Sequence, residues 1–161
     1  MPDKKTREAV ARDKREGKSA STQAGEYVHE EIEHIREGRH GARSTKQAIA
    51  IGLSKARRAG VKVPVGKTVS NATRKHAAAD QAASHKRSRP SATRSEATSE
   101  ALKKEGHRAA SKSALSSHAR KSAAKRSTSS KSAAARQAAK TKGAATRSAA
   151  AKKAARTRAA D

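Results

Sequence analysis

His29-Glu30-Glu31-Ile32-Glu33-His34 is the stretch most suggestive of catalysis, since zinc proteases hold their metal with two helical histidines flanking a glutamate. That motif spaces its histidines i, i+4, on one helical face. Here the spacing is i, i+5, and at about 100° per residue the two rings point roughly 140° apart. One ion cannot take both from a regular helix, and His40, across a loop, would join them only by accident. The expectation is solvated histidines beside glutamates, with no metal. Gly60-Val61-Lys62-Val63-Pro64-Val65-Gly66-Lys67-Thr68 resembles a phosphate loop but has five residues between its glycines where that motif needs four, and no strand precedes it. The serines have no nucleophile elbow, oxyanion loop or His/Asp partner pattern. No catalytic residue and no cofactor is expected.

The chemistry that remains is ionic. The 161 residues carry 39 Lys+Arg against 14 Asp+Glu, a formal net charge of +25. After Glu105 no acid appears until Asp161, while bases recur about every five positions. An acid-free stretch of that length repels itself without a counter-charge, so a polyanion is the expected partner. Single strands are gripped by stacking bases on aromatic rings, and this chain has only Tyr27, with no Trp or Phe. Duplex DNA needs no aromatics, because affinity comes from phosphate neutralisation and counterion release. Duplex DNA therefore leads, with RNA or ribosome association behind it. The candidate phosphate contacts are Arg39, Arg43, Lys46, Arg57 and Arg58 in the first part of the chain. In the tail they are Arg120, Lys121, Lys125, Arg126, Lys131, Arg136, Lys140, Lys142, Arg147, Lys152, Lys153, Arg156 and Arg158. No membrane partner is expected: a surface-lying helix would need Leu, Phe or Trp on one face of the tail, and no stretch approaches about 20 apolar residues. The N-terminus lacks a signal-peptide apolar region, which predicts a cytoplasmic protein.

These side chains need elements to hold them, and nearly every large apolar residue lies between Tyr27 and Pro64. Val28, Ile32 and Ile35 fall at i, i+4, i+7, and Ile49, Leu53 and Ala56 repeat the spacing, so two helices can each present an apolar face. Gly38 suits the C′ position of the first helix, Ser44 or Thr45 supplies an N-cap for the second, and Gly60 ends it. A helical hairpin is predicted, acidic on its first arm and basic on its second, with a homodimer through the hairpin as an option. Residues 1–65 carry 15 basic and 9 acidic side chains, residues 66–161 carry 24 and 5. The bulkier apolar residues beyond Val65 reduce to Val69, Leu102 and Leu115, too few for a sizeable core. The expected organisation is a weak N-terminal helix and loop (1–19), a hairpin module (20–65), a polar linker with short helices (66–107) and a basic Ala/Ser/Lys/Arg-rich tail (108–161). The fold class is mostly α: a small helical hairpin module plus a disordered or conditionally helical basic tail.

The stretch from Gly38 to Ala56, GRHGARSTKQAIAIGLSKA, resembles a family of short, uncharacterised bacterial proteins in which a helix ending near His-Gly is followed by a basic loop and a KQAIAIxLSxA helix. Members are often labelled DNA-binding or plasmid stabilization proteins. The resemblance covers about Tyr27 to Pro64 and implies a bacterial, cytoplasmic setting. The tail from about Arg108 to Ala160 is similar in composition to linker-histone tails and to the Lys/Ala-rich histone-like proteins of bacteria. Together these imply a nucleoid-associated protein that binds duplex DNA without sequence preference. The alternative is a plasmid-maintenance or antitoxin-type protein whose hairpin binds a protein partner.

Overall fold

The computed structural model describes residues 2–66, 69–85, 91–141 and 143–160, and the regular elements among them are all helical. In order they are α1 (Lys4–Arg15), α2 (Ala20–Arg36), α3 (Thr45–Arg58), α4 (Asn71–Ala83), α5 (Ala92–Lys103), a 3-10 turn (Arg108–Ala110), α6 (Lys112–Ala124), α7 (Thr128–Thr141) and α8 (Ala144–Ala160). The chain divides into two compact units, residues 1–118 and 119–161.

Local chemistry explains where the helices start and stop. The Ser19, Ser44 and Ser70 hydroxyls each accept a backbone N–H three residues on, at 3.2 Å, as the N-caps of α2, α3 and α4. The helix ends before Gly17, Gly38 and Gly60 need a left-handed residue, and these glycines have φ of 67°, 75° and 89°. Arg39 N–H then reaches back to the His34 carbonyl at 3.0 Å, and Val61 N–H to Ala56 at 3.0 Å, closing the helix ends. Asp3 stands at the N-cap position of α1 but does not cap it; its carboxylate goes to His34 and Arg39 on neighbouring segments.

The hairpin of α2 and α3 is present, with Ala56 of the expected α3 face buried, but the rest of the buried face is turned from the one the aliphatic spacing implied. Thr45, Ala48, Gly52 and Ala56 are the buried residues of α3, while Ile49, Ile51 and Leu53 stay half-buried beside them. The reason is closeness. A Cβ built at Gly52 would lie 2.7 Å from Val28 Cα, so the backbones approach where only a glycine fits. On α2 the buried positions are Ala24, Tyr27, Glu30, Glu31 and Ile35, two of them charged.

Two apolar clusters flank this crossing. Tyr27, Ala24, Ala56 and Val61 form one, with Val10 of α1 and Leu53 packed against it. The weak first helix thus docks through its single large aliphatic. Ile35, Ala42, Ala48, Ala109 and Ala110 form the other. Ala109 and Ala110 belong to a stretch assigned from sequence to the basic tail, yet they are buried on the hairpin. Thr45 Oγ1 donates to the Ala109 carbonyl at 2.7 Å and Arg36 Nε to that of Ala110 at 2.8 Å. The loop after α2 is covered as well, since Gly41 and Ala42 N–H donate to the Leu102 and Gly106 carbonyls at 2.8 and 3.0 Å. A Cβ at Gly41 would stand 1.9 Å from the Glu105 oxygen, so this contact too needs glycine. In the polar stretch before it, α4 buries Ala77.

Candidate nucleic-acid interface

Several basic residues of the first unit are paired with the unit's own acids. Lys55, on α3, reaches across the hairpin to Glu31 and lies 4.0 Å from Glu30, the pairing that the acidic and basic arms predicted. Arg58 Nε donates to Asp80 of α4 at 2.8 Å, and Arg39 Nε to Glu37 at 2.9 Å, with Asp3 a further 3.6 Å partner for Arg39. Arg57 is half-buried, its Nε enclosed without a hydrogen-bond partner. Of the five hairpin candidates, Arg43 and Lys46 are the exposed pair with no acidic partner among the described residues. They bracket the start of α3. The Gly41, Ala42, Arg43 and Gln47 N–H groups there already donate to protein oxygens.

Asp3 is the acid whose protonation this network alters most clearly. Its carboxyl is held below the usual carboxylate range, first by the hydrogen bond with His34 and then by the charges of His34, Arg39 and Lys55. Lys18 moves the opposite way, its ammonium held above the ordinary lysine value by Asp13 and Glu16, 2.7 and 2.8 Å away. Both groups serve internal ion pairs.

The tail differs in kind. Residues 119–161 contain 13 basic side chains and a single acid, Asp161. Arg120, Lys121, Lys125, Arg126, Lys131, Arg136, Lys140, Arg147, Lys152, Lys153, Arg156 and Arg158 are all exposed; Lys142 lies outside the described residues, as do Lys67 and Thr68 of the phosphate-loop lookalike. Arg126 Nη2 donates to the Ser130 carbonyl at 3.1 Å, a local contact that leaves its charge uncompensated. In α8 the five bases at 147, 152, 153, 156 and 158 fall on all sides of the axis at about 100° per residue, and α8 has almost no apolar face. Successive cations five residues apart stand about 7.5 Å apart along a helix, whereas a duplex carries one negative charge per about 1.7 Å. A helix so spaced carries far fewer charges per unit length than a duplex does.

Among the described residues no helix is long and apolar enough to cross a membrane. Residues 14–67 match the model of a family described as a family of unknown function (DUF6496). The matched stretch comprises the end of α1, the α2–α3 hairpin and the segment after it, and excludes the tail. No curated protein and no solved structure matches the chain.

Proposed function

We propose that this protein binds duplex DNA without sequence preference and acts as a nucleoid-associated, histone-like protein, its affinity supplied by the tail. The observation that carries the reading is the run of exposed bases on α6, α7 and α8, with no acid between Glu105 and Asp161 to neutralise them. Phosphate contacts of this kind position a protein on DNA and carry no base information directly, so sequence preference should be weak. The first unit contributes Arg43 and Lys46 as accessory contacts. Arg39, Lys55 and Arg58 pair internally, and the unit serves as a folded anchor to which the tail is attached.

Sequencing the nucleic acid that copurifies with the full-length chain tests the proposal. DNase-sensitive fragments of mixed sequence are the expected result. Recovery of RNA alone, sensitive to RNase, would replace DNA with an RNA or ribosomal partner. A specific protein retained after nuclease treatment, with no nucleic acid recovered beforehand, would favour the plasmid-maintenance or antitoxin-type reading.

A further inference from the structure

Glu31 is buried, its side chain 1% exposed, and among the described residues neither carboxylate oxygen has a backbone or hydroxyl donor. Its contacts are ionic: Lys55 on Oε2, and His40 Nε2 at 3.2 Å from Oε1. His40 Nδ1 lies 3.1 Å from the Gly41 carbonyl, which can accept its N–H and so fixes the ring with Nε2 turned toward the Glu31 carboxylate. His34 brings a ring nitrogen to the same place, and the three ligand atoms of Glu31, His34 and His40 lie within 4.8 Å of one another.

We propose that Glu31, His34 and His40 form a binding site for a zinc-class divalent cation that ties the α2–α3 loop to α2. Two nitrogens and one carboxylate oxygen are a donor set suited to zinc, whereas magnesium and calcium prefer oxygen alone. Tetrahedral ligands at about 2.0–2.1 Å from zinc stand about 3.3 Å apart, close to the 3.2 Å already separating His40 and Glu31. Small side-chain rotations bring in the third. His40 Nδ1 has an oxygen beside it at Gly41, as ligating imidazoles commonly do, and His34 Nε2 lies between Asp3 Oδ2 at 3.1 Å and Arg39 Nη1 at 3.0 Å. The surrounding charge favours a cation: Asp3, Glu30 and Glu31 face the permanent cations Lys55 and Arg39, and Arg39 is shared with Glu37. Sequence spacing concealed the site because its ligands are not the two helical histidines at 29 and 34. They are Glu31 and His34 at i, i+3, with His40 returned by the turn at Gly38.

The role is a staple. Among the described residues Ile35 is the single large aliphatic that is fully buried, and small cores of this kind are commonly reinforced by a metal. A ligand that binds only the folded state raises its stability by mass action. Titrating zinc chloride into the untagged full-length chain should give one zinc per chain by calorimetry, with a raised thermal midpoint followed by Tyr27 fluorescence. Magnesium chloride should shift nothing. His40→Ala should weaken zinc binding at least tenfold, whereas His29→Ala, whose ring is 65% exposed and pairs with Glu33, should leave it unchanged. Should His40→Ala fail to fold, cobalt(II) added to the wild-type chain supplies the second reading, with visible ligand-field bands that zinc abolishes. Absence of stoichiometric zinc binding and of those bands would overturn the proposal, as would equal zinc affinity in a folded His40→Ala.

Discussion

Two glycines that the sequence cannot tell apart do opposite things. Gly25 and Gly52 both sit inside helices, where alanine is favoured by about 1 kcal/mol in the absence of other contacts. A Cβ at Gly25 meets nothing within 4 Å, so Gly25→Ala should raise stability by up to about 1 kcal/mol. At Gly52 the same atom would meet Val28 Cα at 2.7 Å and Val28 N at 3.0 Å, backbone that cannot swing aside. Gly52→Ala should therefore cost about 1–3 kcal/mol, and denaturant melts of the two variants should move in opposite directions. Tyr27, the sole aromatic residue, reports the same packing. Burial pushes its phenol above the ordinary value of 10.0, with Glu30 adding to the shift. A raised folded-state value means that this contribution to stability is complete below the unfolded tyrosine pKa and is lost as pH rises through the folded one. Spectrophotometric titration should place phenol ionisation above that of a denatured control; coincidence of the two curves would mean that Tyr27 is exposed. Residue types alone signalled Gly38 as a helix stop and Ser44 as a cap, because those are local backbone requirements. They did not signal Gly52 or the Glu31–His40 contact, which depend on what a second segment brings near.

The elements were legible where their reasons are local. Helix ends, the hairpin and the acidic and basic arms follow from caps, glycines and charge, and Lys55 joins α3 to the glutamates of α2 accordingly. The packing face of α3 was not legible, because Ile49 and Leu53 outweigh Ala48 and Gly52 in any hydrophobic pattern although the latter are what permit close approach. Nor was the docking of Arg108–Ala110, a tripeptide without apolar periodicity; the faint signal was Gly41, a glycine in a loop that needs one for close contact. That docking predicts a sharp difference between two truncations. A chain ending at His107 loses Ala109 and Ala110 from the Ile35 cluster, together with the partners of Thr45 and Arg36. It should be less stable by about 2–4 kcal/mol than a chain ending at His118, from two hydrogen bonds and the uncovered apolar surface. Equal thermal midpoints for the two would show that the 3-10 turn adds nothing to the hairpin. Within the hairpin, Ile35→Asp places a charge at a fully buried site and should abolish most of its helicity by circular dichroism, whereas Leu53→Asp, at a half-buried position, should do less.

Across the whole molecule, charge is distributed so that folding and the proposed binding use different residues. The first unit contains 13 of the 14 acids and pairs several of them internally, while the tail contains almost none. This division was readable from composition, since it needs no knowledge of packing; its boundary was not, because residues 108–118 belong with the hairpin by contact and with the tail by composition. The distinction sets the design of the decisive experiment. Truncation must follow His118, so that loss of binding cannot be mistaken for loss of the folded unit. The measurement is a salt titration of fluorescence anisotropy on two duplexes of unrelated sequence, with the full-length chain and the chain ending at His118. If roughly six to ten tail bases contact phosphates, full-length affinity should fall about 10³- to 10⁵-fold between about 50 and 200 mM salt, with a log-log slope near −0.9 per contact. Both duplexes should behave alike, and truncation should weaken binding and flatten the slope. Unchanged affinity after truncation, or a preference above about a hundredfold for one duplex, which would demand base readout, would contradict tail-driven, sequence-nonspecific binding.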